Sequence, residues 1–452
     1  MKPPKPTPRP DKVSLLGYLR LFRRDILSAQ PARLYHALMA EFRTPFFRSY
    51  LCNDPDLVDL VLKKRPDDFP KSDRVREGLA PLLGQSVFLT NGETWRRQRR
   101  IIDPAFEGGR LKDIFPAMRD AAIAARDRLA AEHGRVVEIE AEASHAAADT
   151  IFRILFSIPI DHAVASAVFA QFRDHQRSQP LLNLGAFLRA PAWLPRLRRR
   201  ETRSTAAAIR TLIEELVETR LAAIAAETAP DDLATKIMTT IDPETGTGFG
   251  KAEMVDQVAI FFLAGHETSA SALAWAIYLL AISPDLQDAV ADEARGIAET
   301  ATLSDLSALT MTRDVFREAL RLYPPVPMMV RENRCPERFR GRDVPKGSQI
   351  VISPWHLHRH ERHWTDPDTF DPSRWQGEDG RKSARLAYLP FSAGPRVCPG
   401  AGVAMAEGVL MLALLLRDLR FSAEGEPPPE PVAHLTVRAR NGIRVRIERR
   451  GG

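Results

Sequence analysis

Apolar side chains recur at three- and four-residue intervals along most of the chain, the spacing of helices that bury one face. The pattern predicts helices over Ala117 to His133, Ser204 to Glu227 and Ser283 to Ala298. In the last, Ser283 is placed to cap the helix and Pro284 to take its first position, where a missing N–H does no harm. From Lys251 to Ile282 no proline interrupts the pattern. A helix of that length spans about 48 Å. Strand signals are fewer and cluster late in the chain. There LTVRARNGIRVRIERR alternates on both sides of Asn441-Gly442, which predicts two strands joined in a tight hairpin. No internal repeat or low-complexity linker divides the chain. The expectation is one mainly α domain with minor β structure over residues 13–452.

The first twelve residues stand apart. MKPPKPTPRP is basic and proline-rich, which predicts an extended, disordered tail. In SLLGYLRLFRRDIL, which follows, Arg20, Arg23 and Arg24 interrupt the apolar residues, so it is no signal-peptide core. Two readings are open: the first helix of the fold, taken as the expectation, or a basic amphipathic helix lying on a membrane. The longest unbroken apolar run, Ala272 to Ile282, has eleven residues, short of the roughly 18 a membrane span needs. A protein without a transmembrane anchor is expected.

Charge and cysteines narrow the class. Lys and Arg number 64 against 58 Asp and Glu, a formal +6. The arginines are dispersed, with no basic patch interleaved with stacking aromatics, so no nucleic-acid role is expected. Cys52, Cys335 and Cys398 are far apart and odd in number. That argues against a disulfide framework and for the reducing cytoplasm.

Two short stretches carry candidate chemistry. In FFLAGHETSAS, amid the long predicted helix, Gly265 costs about 1 kcal/mol relative to alanine. Ala264 and Thr268 lie four apart and share a face. Either a flat group presses on the helix there, or a neighbouring helix packs closely. The other stretch is FSAGPRVCPG. A cysteine thiolate is a soft, electron-rich ligand for haem iron. It needs a tight loop without bulky side chains, which would explain Gly394 and Gly400, and it gains from a following helix N-terminus. AGVAMAEGVLMLALLLRDL, from Ala401, reads as that helix. Cys52 and Cys335 have no such context.

With these residues in place, the chain resembles the cytochrome P-450 haem-thiolate monooxygenases of the soluble bacterial type. Phe391, Gly394, Arg396, Cys398 and Gly400 match the ligand-loop pattern F-x-x-G-x-R-x-C-x-G, and Ala404 and Glu407 continue it. Ala264 to Ser269 match A-G-x-E-T-S. Glu318 and Arg321 in REALRLYPP match E-x-x-R, and Trp95 and Arg99 in GETWRRQRR match W-x-x-x-R. The four motifs come in the family's order.

The resemblance implies haem b with Cys398 as axial ligand, and Arg99, Arg396 and Arg331 on its propionates, with Trp95 beside Arg99. It implies Ala264 and Gly265 against the cofactor, Thr268 as proton relay and Glu267 as the acid linking it to solvent. Glu318, Arg321 and Arg374 would form a structural ion network. Substrate would lie near Phe261, Ala264, Thr268, Val326, Met328 and Met329, with Arg74 to Leu89 and Pro180 to Leu197 as further walls. The latter is a lid or a fixed cap. An apolar substrate such as a fatty acid, terpenoid or steroid is implied, with O2. A soluble ferredoxin with its reductase, or a flavodoxin, would donate electrons to a monomeric enzyme. Peroxide-driven turnover and a non-catalytic haem sensor stay open as alternatives.

Two further clusters have bland readings beside the sharper ones. Arg96, Arg97 and Arg100 are either solvated or a patch for an acidic redox partner. HLHRHERH, His356 to His363, lacks the spacing of zinc helices and is expected to hold no metal. His266 is given no role.

Overall fold

The computed structural model describes residues 1–43, 48–107, 109–178, 200–433 and 435–451. They form two compact units, one of Met1–Phe69, Ala122–Ala146 and Glu267–Gly452, the other of Pro70–Ala121 and Ala147–His266.

The second unit is helical. Ser72 caps the helix Asp73–Leu83, its hydroxyl accepting the Arg74 N–H at 3.3 Å. Gly84 ends that helix at φ +49°, and a Cβ there would fall 2.0 Å from the Asp256 carboxylate, so only glycine fits. Asp256 in turn accepts from Gln85 N at 2.7 Å and pairs with Arg210, while Gln257 accepts from Val87 N at 3.0 Å. The expected wall Arg74 to Leu89 is thereby fastened to the start of the long helix. An aromatic cluster of Phe152, Phe169, Phe172, Phe262 and His266 forms the core, with ring centroids 4.5–5.4 Å apart. His266 is fully buried among these rings.

The first unit holds the sheets. Met39–Arg43 pairs antiparallel with Arg48–Cys52, which runs parallel to Gln349–Ile352, and Met329–Glu332 closes the four strands antiparallel. Tyr50, Val61, Phe69, Phe339, Ile350, Trp364 and Trp375 pack one core against it. A second sheet orders Val136–Glu138, Arg444–Arg449 and Leu419–Ala423.

The long helix runs from Lys251 to Ala281, one residue short of expectation. The other predicted helices run Arg110–Ala131, Arg200–Ala225 and Pro284–Ala294. The hairpin does not form. Val437–Ala439 pairs with Pro431–Ala433, whereas Arg444–Arg449 pairs with two different strands. Gly442 does turn the chain, at φ +74°, but carries it from one sheet into the next. Alternation marks a strand without naming its partner.

The tail also departs from expectation. Residues 1–12 are extended, yet Pro3, Pro6 and Arg9 are buried, every third residue. That is the period of a polyproline II helix with one side laid on a surface. Its carbonyls find partners, Met1 O accepting from Phe370 N at 2.9 Å and Pro4 O from Tyr323 Oη at 2.7 Å. Arg9 Nε donates to Ala29 O at 2.6 Å.

Candidate active site

Cys398 lies in a loop built by backbone bonds. Its N–H donates to Phe391 O at 2.9 Å, and Val397 N–H to Gly394 O at 3.0 Å. Gly394 has φ +69°, and a Cβ there would sit 2.0 Å from the Leu62 carbonyl oxygen. Conformation and close approach both demand glycine. Gly400 is different: a Cβ would meet only Cys398 Sγ, at an ordinary 3.9 Å. It is the cap residue of the helix Ala401–Asp418. Cys398 is exposed just before that N-terminus, and the positive end of a helix dipole favours a thiolate. Cys52, by contrast, is fully buried, and burial pushes its thiol up to about 12.

Arg331, on the strand Met329–Glu332, is buried and donates to the carbonyl of its neighbour Val330, at 3.2 Å. Burial lowers its guanidinium to about 10. Among the described residues no carboxylate pairs with it. A buried cation in that state is costly without an anion, so this residue and the exposed thiol fit a metalloporphyrin with carboxylate arms. Arg396 lies half-buried in the short turn Gly394–Arg396 of the Cys398 loop.

In the second unit, Trp95 is buried on the helix Gly92–Ile102. Arg99 on the same helix pairs with Asp103 at 2.7 Å. Its neighbours are not a free basic patch. Arg97 pairs with Glu253 at 2.8 Å, and Arg100 with Asp242 at 2.6 Å and Glu93 at 3.0 Å. The bond from Arg100 holds the Asp242 carboxyl well below the usual range.

Ala264 is exposed in a helix otherwise almost wholly buried, and Thr268, one turn on, is half-exposed on the same face. Gly265 answers to a neighbour: a Cβ would lie 2.7 Å from Ile151 Cδ1. The close-packing reading therefore accounts for this glycine. Glu267 is buried, its Oε1 3.7 Å from Nη2 of Arg438 on the strand Val437–Ala439. Arg438 is itself part-exposed. Nearby, burial raises Glu140 to about 7; its bond from Ala439 N–H and the charge of Arg438 oppose the rise, and Glu138 adds to it. Ser269 Oγ donates to Glu407 Oε2 at 2.5 Å, joining the long helix to the helix that follows Cys398. No spacing in the sequence signals Arg438, because its strand meets Glu267 only through the fold.

Glu318, Arg321 and Arg374 do come together. Arg321 donates to both oxygens of Glu318, at 2.9 and 2.8 Å, and Arg374 Nε to Oε1 at 2.8 Å. Arg321 also donates to the carbonyls of His358, Pro367 and Thr369. His358 extends the network. Burial holds it neutral, near 3, and its Nε2 accepts from Leu389 N at 2.8 Å, just before the Cys398 loop. Its Nδ1 is 3.2 Å from Arg321 O and so takes the donor role. Of the remaining histidines of that run, His356 bonds Ser353, His363 bonds Asn53 O, and His360 Nδ1 accepts from Arg362 N at 3.3 Å. No three His, Cys, Asp or Glu among the described residues are placed to hold a metal ion.

Of the expected substrate-facing residues, Phe261 is buried with its ring 6.0 Å from that of Phe106. Val326 is exposed and Met328 and Met329 half-buried in the first unit. The expected lid Pro180 to Leu197 lies outside the described residues.

The Cys398 loop and the mainly helical fold fit a haem-thiolate protein. Residues 8–445 match the family model described as Cytochrome P450. The chain is 35% identical to cyclooctat-9-en-7-ol 5-monooxygenase of Streptomyces melanosporofaciens, over 91% of this chain and 88% of the relative. It is 30% identical to cytochrome P-450 4A14 of Rattus norvegicus, over 88% and 81%. The crystal structure of the cytochrome P450DA heme domain superimposes with a TM-score of 0.82 at 23% identity, covering 99% of this chain and 98% of that one. The chain belongs to the cytochrome P-450 family. It is a monooxygenase enzyme with haem b as cofactor, and uses O2 with electrons from a redox partner. No single helix among the described residues is long and apolar enough to cross a membrane.

Proposed function

We propose that the enzyme hydroxylates a C–H bond of an apolar small molecule of the terpenoid, fatty-acid or steroid kind, taking electrons from a separate ferredoxin or flavodoxin. The first relative acts, by name, on cyclooctat-9-en-7-ol as a monooxygenase, and Phe261, Val326, Met328 and Met329, the side chains assigned to substrate, are apolar and adaptable. When bound, the haem supplies the activation of O2. Cys398 holds the iron as a thiolate, which the following helix N-terminus favours. Arg331 neutralises a propionate, with Arg396, Arg99 and Trp95 assigned to the same task. Thr268 passes protons from its hydroxyl, and Glu267 feeds it, with Arg438 between that buried carboxyl and the surface. A cytoplasmic monomer suits the three free cysteines.

Cys398 carries the reading. The test is the reduced, CO-bound difference spectrum, followed by substrate-dependent O2 consumption with a surrogate ferredoxin and reductase. A strongly red-shifted Soret band that Cys398→His abolishes, with O2 and reductant used in step with hydroxylated product, is expected. Turnover with hydrogen peroxide but not with O2 would replace the proposal with a peroxygenase. The Glu267–Thr268 pair argues against that, since peroxide chemistry needs no such relay.

A further inference from the structure

The charge of this protein is unevenly placed. Residues 1–33 contain eight basic and two acidic side chains, a net +6, which is the whole formal charge of the chain. The other 419 residues carry 56 of each sign. Within the basic segment the helix Leu15–Arg24 is capped by Ser14, whose hydroxyl accepts Gly17 N–H at 3.1 Å. Its inner side is held by the extended segment before it, the Tyr18 ring lying under the Arg9 guanidinium. Its outer side is different. Leu16 is 80% exposed, and Val13, just before the helix, 36%. Leu16, Arg20 and Arg23 stand at i, i+4 and i+7, one stripe of the helix, and Lys12 is exposed beside it. No carboxylate among the described residues pairs with Arg20 or Arg23.

We propose that this stripe is an attachment site for an anionic lipid surface, with Leu16 and Val13 entering the headgroup layer while Lys12, Arg20 and Arg23 meet lipid phosphates. The combination favours lipid over an acidic protein. Large aliphatics set among unpaired arginines match an interface that is anionic outside and apolar just beneath. The extended segment buried at Pro3, Pro6 and Arg9 fastens the region at its start, so the helix is presented as a fixed surface element. Apolar compounds concentrate in bilayers, so attachment would raise the local supply of the substrate class proposed above; the lipid contact itself does not depend on that class.

The test is co-sedimentation of the full-length, haem-loaded protein with large vesicles of phosphatidylcholine alone or mixed equally with phosphatidylglycerol. Binding at least about tenfold tighter to the anionic vesicles is expected, weakened by high salt. Arg20→Glu/Arg23→Glu should abolish that preference, and Leu16→Ser should weaken binding severalfold at unchanged charge. An unaltered CO-difference spectrum shows that each variant is folded. Equal binding to both vesicle types, or anionic binding untouched by the charge reversal, overturns the proposal. So does an absence of vesicle binding together with slower reduction of the reversed variant by a ferredoxin, which would make the stripe a protein-docking face. A Leu16→Ser variant that binds as tightly as the parent rules out insertion of that side chain.

Discussion

Two arginine-rich helices of this chain read alike in sequence and behave in opposite ways. WRRQRR on Gly92–Ile102 looks the more exposed cluster, yet Arg97 and Arg100 each face a carboxylate from elsewhere in their own unit. RLFRR on Leu15–Arg24 looks like an ordinary first helix, yet Arg20 and Arg23 meet no acid among the described residues. The first set is spent on tertiary structure and projects little field; the second keeps its field for something outside the chain. Arginine density is therefore a poor guide to a docking surface, and the supply of acidic partners is the variable that matters.

That contrast orders a series of substitutions by how completely each cation is matched. The largest effect is expected at the fully buried and fully paired extreme. Glu318→Ala strands Arg321 and costs about 3–5 kcal/mol of stability by denaturant titration; a loss under 1 kcal/mol would mean the network contributes little.

Arg331 is the buried but unmatched case. Arg331→Met should leave the haem-free protein as stable or more so, while haem dissociates about tenfold faster to an apomyoglobin trap. A destabilised haem-free protein would show that Arg331 has a partner in the fold.

Arg100 is matched by Asp242 and Glu93 but only partly buried, and its effect depends on pH. The Asp242 carboxyl is depressed below its ordinary 3.8, so its contribution is present above that pH and is lost as the pH falls through the depressed value. The stability gap between parent and Arg100→Ala should hold from pH 7 to about 5 and narrow below about 4; a gap that widens in acid would contradict the pairing.

The smallest stability effect belongs to the unmatched helix. Arg20→Gln/Arg23→Gln should change the unfolding free energy by no more than about 0.5 kcal/mol, while anionic-vesicle binding falls. A marked loss of stability would place those arginines in the first class.

Much of the scaffold was legible in local patterns. The long helix ended within a residue of expectation because its apolar run is bounded by a non-helical loop and Ser283. The i,i+3 pair Glu318–Arg321 met because a helix brings those positions together whatever surrounds it. Properties set by distant strands were not legible. Asn441-Gly442 signals a turn, but which strands flank it depends on residues more than a hundred positions away, such as Val136–Glu138. Gly265 illustrates a second limit. A glycine in mid-helix announces that something lies close, and only packing reveals Ile151 as that neighbour. Proline content misled at the start, where the expected free tail is laid down at three-residue intervals.

The 2.5 Å bond between Ser269 and Glu407 couples two movements that would otherwise be independent. One helix carries Thr268 beside Ser269; the other begins directly after Cys398 and holds Glu407 two turns in. Sliding either along its axis would break a short, charge-assisted bond inside the protein. Thermal motion of the Cys398 thiol, the proposed iron ligand, and of the Thr268 hydroxyl, the proposed relay, is thus expected to be in phase. Replacing Ser269 with alanine would act like slipping a gear: both parts remain intact, and what is lost is their timing relative to each other.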